Sequence, residues 1–268
     1  MNALLRQVLA LALGCALALG VCAEPLQTVL MVSIDALHPA ALRPDVAPAL
    51  ETLQHPGQFT LEGRSVTPPQ TLIAHAAMLT GLTPEQSGKQ DNNWKPGQAQ
   101  VTHETLLDVA KRQGFDTAYF YAKPKLGYLV SASISQQALA RDDGVERAQE
   151  FLRQPGPRFV FLHLSGLDDV GPDAGWLSPQ YLEELRYIDR SLAPLIAQVR
   201  GRGTYLMLIT SDHAGHDRLH GTNHSEDFKL PVLLEASQAL PGWVSDGLSI
   251  TRIKPVVQDA MNLLGKMP

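Results

Sequence analysis

Apolar residues recur along this chain in short unbroken runs, and between the runs they return every three or four positions. Residues 28–34 (TVLMVSI), 158–164 (RFVFLHL) and 204–210 (TYLMLIT) are rich in β-branched and aromatic side chains and too short for helices. They are predicted to be strands buried on both faces. A weaker strand is expected at 59–66, another at 117–122, and a short apolar run at 230–234. Helical spacing predicts helices over 72–79, entered from Pro68-Pro69, and over 103–113, stopping at Gly114. Further helices are expected over 142–153, ended by Pro155-Gly156, and over 251–264. The longest is predicted at 179–200, with Tyr181, Leu185, Ile188, Leu192 and Leu195 on one face. Strands of this kind separated by helices imply an α/β fold, with a mostly parallel central sheet flanked by helices on both faces. Ligands in such sheets bind at the carboxyl ends of the strands. Residues 82–102 are the longest polar stretch punctuated by Gly and Pro, and are expected to form an active-site loop.

The first 23 residues break this pattern. Arg6 is their only charge, an apolar run extends to Val21, and Val21-Cys22-Ala23 is a small-residue site of the A-x-A type. That is the composition of a secretory signal peptide. The run is shorter than the ~20 apolar residues of a membrane span. The expectation is cleavage near Ala23, a periplasmic or secreted protein with no stable membrane anchor, and one domain over residues 24–268. Both cysteines, Cys15 and Cys22, fall in the leader, so neither a disulfide nor cysteine-ligated zinc is expected in the mature chain. The whole chain carries 22 basic and 27 acidic side chains, a net charge of −5. Losing Arg6 makes it one unit more acidic. No nucleic-acid-binding surface is expected from that balance.

The acids and histidines are unevenly placed. Three of the strongest strands run into carboxylates: the first into Asp35, the second into Asp168-Asp169, the third into Asp212-His213. A single Asp after a strand is an ordinary turn or cap residue. Three of them, one followed by His, point to metal ions held at one sheet edge. Residues 211–226 (SDHAGHDRLHGTNHSE) hold four of the nine histidines, His213, His216, His220 and His224. Neutral His and ionised Asp are ligands for Zn²⁺ or Mn²⁺. Two of the four are expected to bind metal, the others to orient ligands or contact substrate.

Longer segments sharpen this. Residues 32–37 read VSIDAL. Residues 67–88 read TPPQTLIAHAAMLTGLTPEQSG, following P-x-x-T-x-x-x-H-x-x-x-x-T-G-x-x-P-x-x-x-G. Asp168-Asp169-Val170-Gly171-Pro172 is close to D-x-x-G-H. Ser211-Asp212-His213 is followed by Gly221-Thr222-Asn223-His224. Together these resemble the alkaline phosphatase superfamily, most closely its nucleotide pyrophosphatase/phosphodiesterase branch. The resemblance implies a phosphoric ester hydrolase acting on a small phosphorylated substrate, with Thr71 as nucleophile and two divalent ions, Zn²⁺ first and Mn²⁺ or Mg²⁺ as alternatives. By the same resemblance Asp35, Asp212, His213 and Thr71 hold one ion. Asp168 holds the other, with His224 as its distal ligand or, in second place, His220. Two cations about 4 Å apart clamp an in-line displacement at phosphorus, and coordination makes the threonine alkoxide available.

The sequence departs from the family pattern in two places. Pro172 stands where the D-x-x-G-H motif has its His, which leaves Asp173, one residue on, or water to complete the second site. An eroded second site would suit a non-catalytic or weakly active relative that binds phosphorylated ligands. Ala74 stands where phosphodiesterase-type members carry an Asn, so Asn92 and Asn93 are the candidates for reaching the phosphoryl group from the 82–102 loop. Trp94 beside them either stacks on a leaving group or anchors the loop. Lys123 and Lys125 follow the 117–122 strand and either form a solvated basic turn or meet an anionic substrate.

Overall fold

Seven strands make one mixed sheet: β1 (Thr28–Ile34), β2 (Gln58–Arg64), β3 (Asp116–Tyr121), β4 (Gln136–Leu139), β5 (Arg158–Leu164), β6 (Tyr205–Thr210) and β7 (Lys229–Ala236). The structure is a computed structural model and describes residues 25–54 and 57–266. The expected leader, its cleavage site and both cysteines lie outside the described residues. Across the sheet the order is β2-β7-β6-β1-β5-β3-β4. β6, β1, β5, β3 and β4 are parallel, while β7 is antiparallel to both β6 and β2.

The apolar runs are continuous because helices cover both faces. Along β1 the side chains alternate between two cores: Val29 and Met31 enter one, Leu30, Val32 and Ile34 the other. The first core is closed by α2 (Thr71–Thr80), α4 (Leu106–Arg112) and α8 (Ile253–Leu264). The second is closed by α1 (Pro48–Glu51), α5 (Gly144–Arg153) and α7 (Pro179–Arg200). α7 has the bounds its pattern predicts. Ser178 caps it by accepting the Tyr181 N–H, Pro179 fills N1, and Tyr181, Leu185, Ile188, Leu192 and Leu195 are all buried. α4 starts later than its periodicity suggests. Thr105 and Asp108 form a capping box that fixes the start at Leu106.

Four of the helices and strands escape the sequence pattern, the single-turn α1 among them. β4 reads QQAL and is mostly exposed, an edge strand without an apolar run. α3 (Pro84–Ser87) lies inside the expected loop. α6 (Gly166–Ala174) follows β5, its sequence GLDDVGPDA being poor in helix formers.

Register brings the chemistry together. Ile34 pairs with Leu164, and Ser33 with Thr210, so β1, β5 and β6 end side by side. Ala36, directly after Asp35, has φ 63°, a left-handed conformation that is unusual for alanine. Two elements hold it there. Asp212 Oδ1 accepts the Ala36 N–H at 3.2 Å, and the Tyr181 hydroxyl donates to the Ala36 carbonyl at 2.6 Å. The same hydroxyl accepts the His38 N–H at 2.8 Å. Tyr181→Phe would leave a buried carbonyl and a buried N–H without partners. It is expected to cost about 1–3 kcal/mol, read as a lower urea midpoint at unchanged slope. An unchanged midpoint would show that α7 does not hold this turn.

Candidate active site

Asp35, Asp212 and His213 are fully buried at the adjoining ends of β1 and β6. The His213 ring is fixed by its Nδ1–H, which donates to the Ala214 carbonyl at 2.9 Å. Its Nε2 then faces Asp35 Oδ1 at 3.4 Å and Asp212 Oδ2 at 3.5 Å. None of these three atoms has a hydrogen-bond partner. Buried polar atoms left in this way are costly unless something binds them. They converge within 4.8 Å of one another, and two carboxylates with one imidazole are a donor set for a divalent ion. The residues therefore fit a metal here.

The two carboxyls differ in charge state. Burial acts to raise Asp35, but the Lys123 ammonium and then the His163 hydrogen bond outweigh it and hold Asp35 well below the usual range. Burial and then the Asp35 carboxylate push Asp212 up to about 7. Two carboxyls packed against each other, with a cation held on one of them, produce this split.

Lys123 is that cation. It sits just past β3, two strands from β1, with its side chain only 13% exposed. Its Nζ lies 2.6 Å from Asp35 Oδ2, donates to Asp168 Oδ2, and donates to Thr71 Oγ1 at 3.3 Å. The structure thus overturns the reading of Lys123 as part of a solvated turn. Strand order β1-β5-β3, which the sequence pattern does not supply, folds its backbone against the site.

Thr71 is the first residue of α2, and only 1% exposed. The helix is entirely buried and stops at Gly81, whose φ of 74° is the left-handed cap that glycine tolerates. Asn92 Oδ1 accepts the Leu72 N–H at 2.9 Å and so pins the 82–102 loop to the first turn of α2. Asn93 is exposed and turned into its own loop, its N–H on Asp91 and its carbonyl receiving Lys89. Trp94 anchors the loop instead of facing the site: its ring packs where a Cβ on Gly127 would lie, and its Nε1 donates to Ala99.

Two histidines outside the expected ligand set support it. His163, in the apolar run of β5, accepts the Ala122 N–H on Nδ1 and so carries its proton on Nε2, which donates to Asp35 Oδ2 at 3.0 Å. His75 donates from Nδ1 to the Thr71 carbonyl at 2.7 Å and accepts the Ser33 hydroxyl on Nε2 at 2.9 Å. Burial is the main force holding His75 neutral, with its pKa lowered to about 3. The signal for His163 was present: one imidazole in an otherwise apolar buried strand has to have a polar partner.

The second half of the site is thinner. Asp168, in α6, places Oδ1 3.5 Å from His220 Nε2 and 3.9 Å from His213 Nε2. His220 stacks on His213 with ring centroids 4.8 Å apart. His224, expected as the distal ligand, lies elsewhere. It is exposed, its ring stacked 3.8 Å from His216, and both group with Asp227. The GTNH stretch is folded around Asp227, which accepts from Thr222 and His216. Asp173 is exposed and belongs to none of the metal-ligand groups among the described residues. Pro172 sits inside α6 and offers no donor. Asp168 Oδ1 has no hydrogen-bond partner and groups with His220 and His213 as a second candidate ligand set, in which His213 Nε2 is shared with the first, while Lys123 holds Asp168 Oδ2.

Comparison with known proteins bears on the family and the fold. A family model described as type I phosphodiesterase / nucleotide pyrophosphatase matches residues 29–229. The GPI ethanolamine phosphate transferase 1 of Aspergillus fumigatus is 30% identical over 95 residues, covering 34% of this chain and 9% of the fungal protein. The chain spans about a tenth of the length of the curated fungal relatives it matches. Human ectonucleotide pyrophosphatase / phosphodiesterase 5 superposes with a TM-score of 0.71 at 14% identity, covering 88% of this chain and 95% of that one. The C-terminal periplasmic domain of EcEptC from Escherichia coli, in complex with zinc, superposes with a TM-score of 0.65 at 13% identity, covering 89% and 83%. At these identities the superpositions show a shared fold. No helix among the described residues is long and apolar enough to cross a membrane.

Proposed function

The chain belongs to the type I phosphodiesterase / nucleotide pyrophosphatase family of the alkaline phosphatase superfamily, and from that premise we propose that it is an exported, metal-dependent hydrolase of small phosphate esters with Thr71 as its nucleophile. One observation carries the reading: three buried ligand atoms without partners, on Asp35, Asp212 and His213, stand beside a threonine hydroxyl that already accepts from a lysine. A structural core gains nothing from that arrangement.

In this reading Thr71 Oγ1 attacks phosphorus, and the bond from phosphorus to the leaving alcohol breaks. The proton lost by Thr71 balances the one gained by the departing alkoxide. Water then cleaves the Oγ1–P bond, releasing the phosphorylated product and restoring the hydroxyl. A divalent ion held by Asp35, Asp212 and His213 would lower the pKa of the hydroxyl and draw charge from the phosphoryl oxygens. The donor set suits Zn²⁺ first, then Mn²⁺. Lys123 donates to Oγ1 and favours its alkoxide. Asn92 steadies the first turn of α2, and with it Thr71, by accepting the Leu72 N–H. His163 holds Asp35 in orientation from behind. Export follows from the leader reading of residues 1–23, with residues 24–268 as one domain.

Hydrolysis of bis-p-nitrophenyl phosphate and p-nitrophenyl phosphate, with Zn²⁺ and Mn²⁺ titrated into chelator-treated protein, tests this. Turnover restored by one of the ions is expected, and the better substrate separates diesterase from monoesterase. Added ethanol yielding ethyl phosphate from p-nitrophenyl phosphate would show transfer in place of hydrolysis, and the fungal relative is named as a transferase. Absence of turnover with either ion would move the reading to a phospho-ligand-binding protein, for which Pro172 is the supporting feature.

A further inference from the structure

We propose that Lys123 serves as the second cation of this site, so that the chain binds one divalent ion instead of two. The proposal rests on the reading of the site as a phosphoester-processing centre.

An ammonium has three N–H donors and no acceptor, and Lys123 Nζ has three oxygens around it. They belong to Asp35, Asp168 and Thr71, which come from three different parts of the chain. The lysine is held from its backbone as well. The preceding residue, Ala122, donates its N–H to the same His163 ring that holds Asp35. With 13% of its side chain exposed, this is not a surface lysine that swings in solvent.

Asp168 is poorly provided with further ligands. Its Oδ2 is taken by Lys123, its protein neighbour on the far side is His220, and Pro172 supplies nothing. A second ion would find Asp168 Oδ1 and His220, with His213 Nε2 already facing Asp35 and Asp212 of the first set, and with the other Asp168 oxygen engaged by an ammonium. Charge points the same way. With Asp212 ionised as an ion's ligand, Asp35, Asp168 and Asp212 against Lys123 leave two negative charges, which a single divalent ion neutralises. A second ion would have to share Asp168 with the Lys123 ammonium. The fixed ammonium sits against the nucleophile, where it can also donate to a non-bridging phosphoryl oxygen. That is the electrostatic work a second ion would do.

Equilibrium dialysis of the chelator-treated full chain against Zn²⁺, with bound metal measured by mass spectrometry, tests the stoichiometry directly. One ion per wild-type chain is expected. Lys123→Met, which keeps the stem and removes the charge, is expected to take up a second, weaker ion once Asp168 is released. It should lose about 100-fold or more in turnover. Two ions per wild-type chain would overturn the proposal, and so would none. Unchanged stoichiometry and turnover in Lys123→Met would also overturn it. One ion with no turnover of any ester would sink the hydrolase reading while the one-ion assignment stands. Two ions with full turnover would do the reverse.

Discussion

Thr71→Ala should abolish ester hydrolysis, with a fall in kcat of about 10⁴-fold or more, as expected when a covalent nucleophile is removed. The size follows from the geometry: Thr71 Oγ1 is the hydroxyl on which Lys123 and the start of α2 converge. Structure should survive the change. Among the described contacts the hydroxyl bonds only Lys123, and the Thr71 carbonyl, which holds His75, is untouched. Thr71→Ser keeps the oxygen and is expected to stay within roughly tenfold of wild type, the loss coming from the freer rotamer of serine. Acid quenching during turnover, followed by mass spectrometry, should find phosphate on the peptide containing Thr71. Turnover persisting in Thr71→Ala would mean that water attacks directly and that Thr71 is only the first residue of a helix.

A second large effect is expected in stability, and its sign depends on the metal. In ion-free protein the Asp212 carboxyl is buried against Asp35, with Oδ2 unbonded. Its folded pKa of about 7 lies above the ordinary carboxylate value. The folded state therefore holds a proton that the unfolded state has lost. The stabilising effect of that proton is complete below about pH 4, declines as pH rises through 7, and is gone above it. In chelator at pH 8, Asp212→Asn should melt several degrees above wild type, because it removes the charge and keeps the oxygen that accepts from Ala36. Near pH 4 the two should converge. Adding Zn²⁺ should reverse the order. At a hundredfold excess over Kd, binding stabilises wild type by about 2.7 kcal/mol, or roughly 5–10 °C for a domain of this size. The variant should gain little. A variant less stable than wild type in chelator at pH 8 would show that the unpaired carboxylate is not the weak point of the ion-free fold.

Much of this site was legible because strand ends are legible. TVLMVSI, RFVFLHL and TYLMLIT are unmistakable as buried strands, and the residues that follow them had to meet at a sheet edge if the strands were parallel. That placed Asp35, Asp168, Asp212 and His213 together. The motif around Thr71 placed the hydroxyl beside them. What escaped was whatever depends on strand order or loop path. Lys123 looked like a basic turn because nothing in the chain says that β3 lies next to β5. His163 looked like part of the core, since burial and hydrogen bonding to Asp35 leave the same mark in a one-dimensional pattern. His220 and His224 are four residues apart in a loop without periodicity. The buried Asp227 turns His224 towards His216 and leaves His220 facing Asp168.

The position of β1 has a consequence for how the chain assembles. It is the first strand, and it lies in the middle of the sheet, between β5 and β6. Its two neighbours begin at Arg158 and Tyr205, so neither edge of β1 can be satisfied until most of the polypeptide is available. Pairings over such sequence distances close slowly, because the loop entropy is lost before the contacts form. An amino-terminal fragment ending before β5 would carry an apolar central strand with no neighbour on either side, a template for aggregation. Synthesis delivers β1 well before either of its neighbours exists to pair with it.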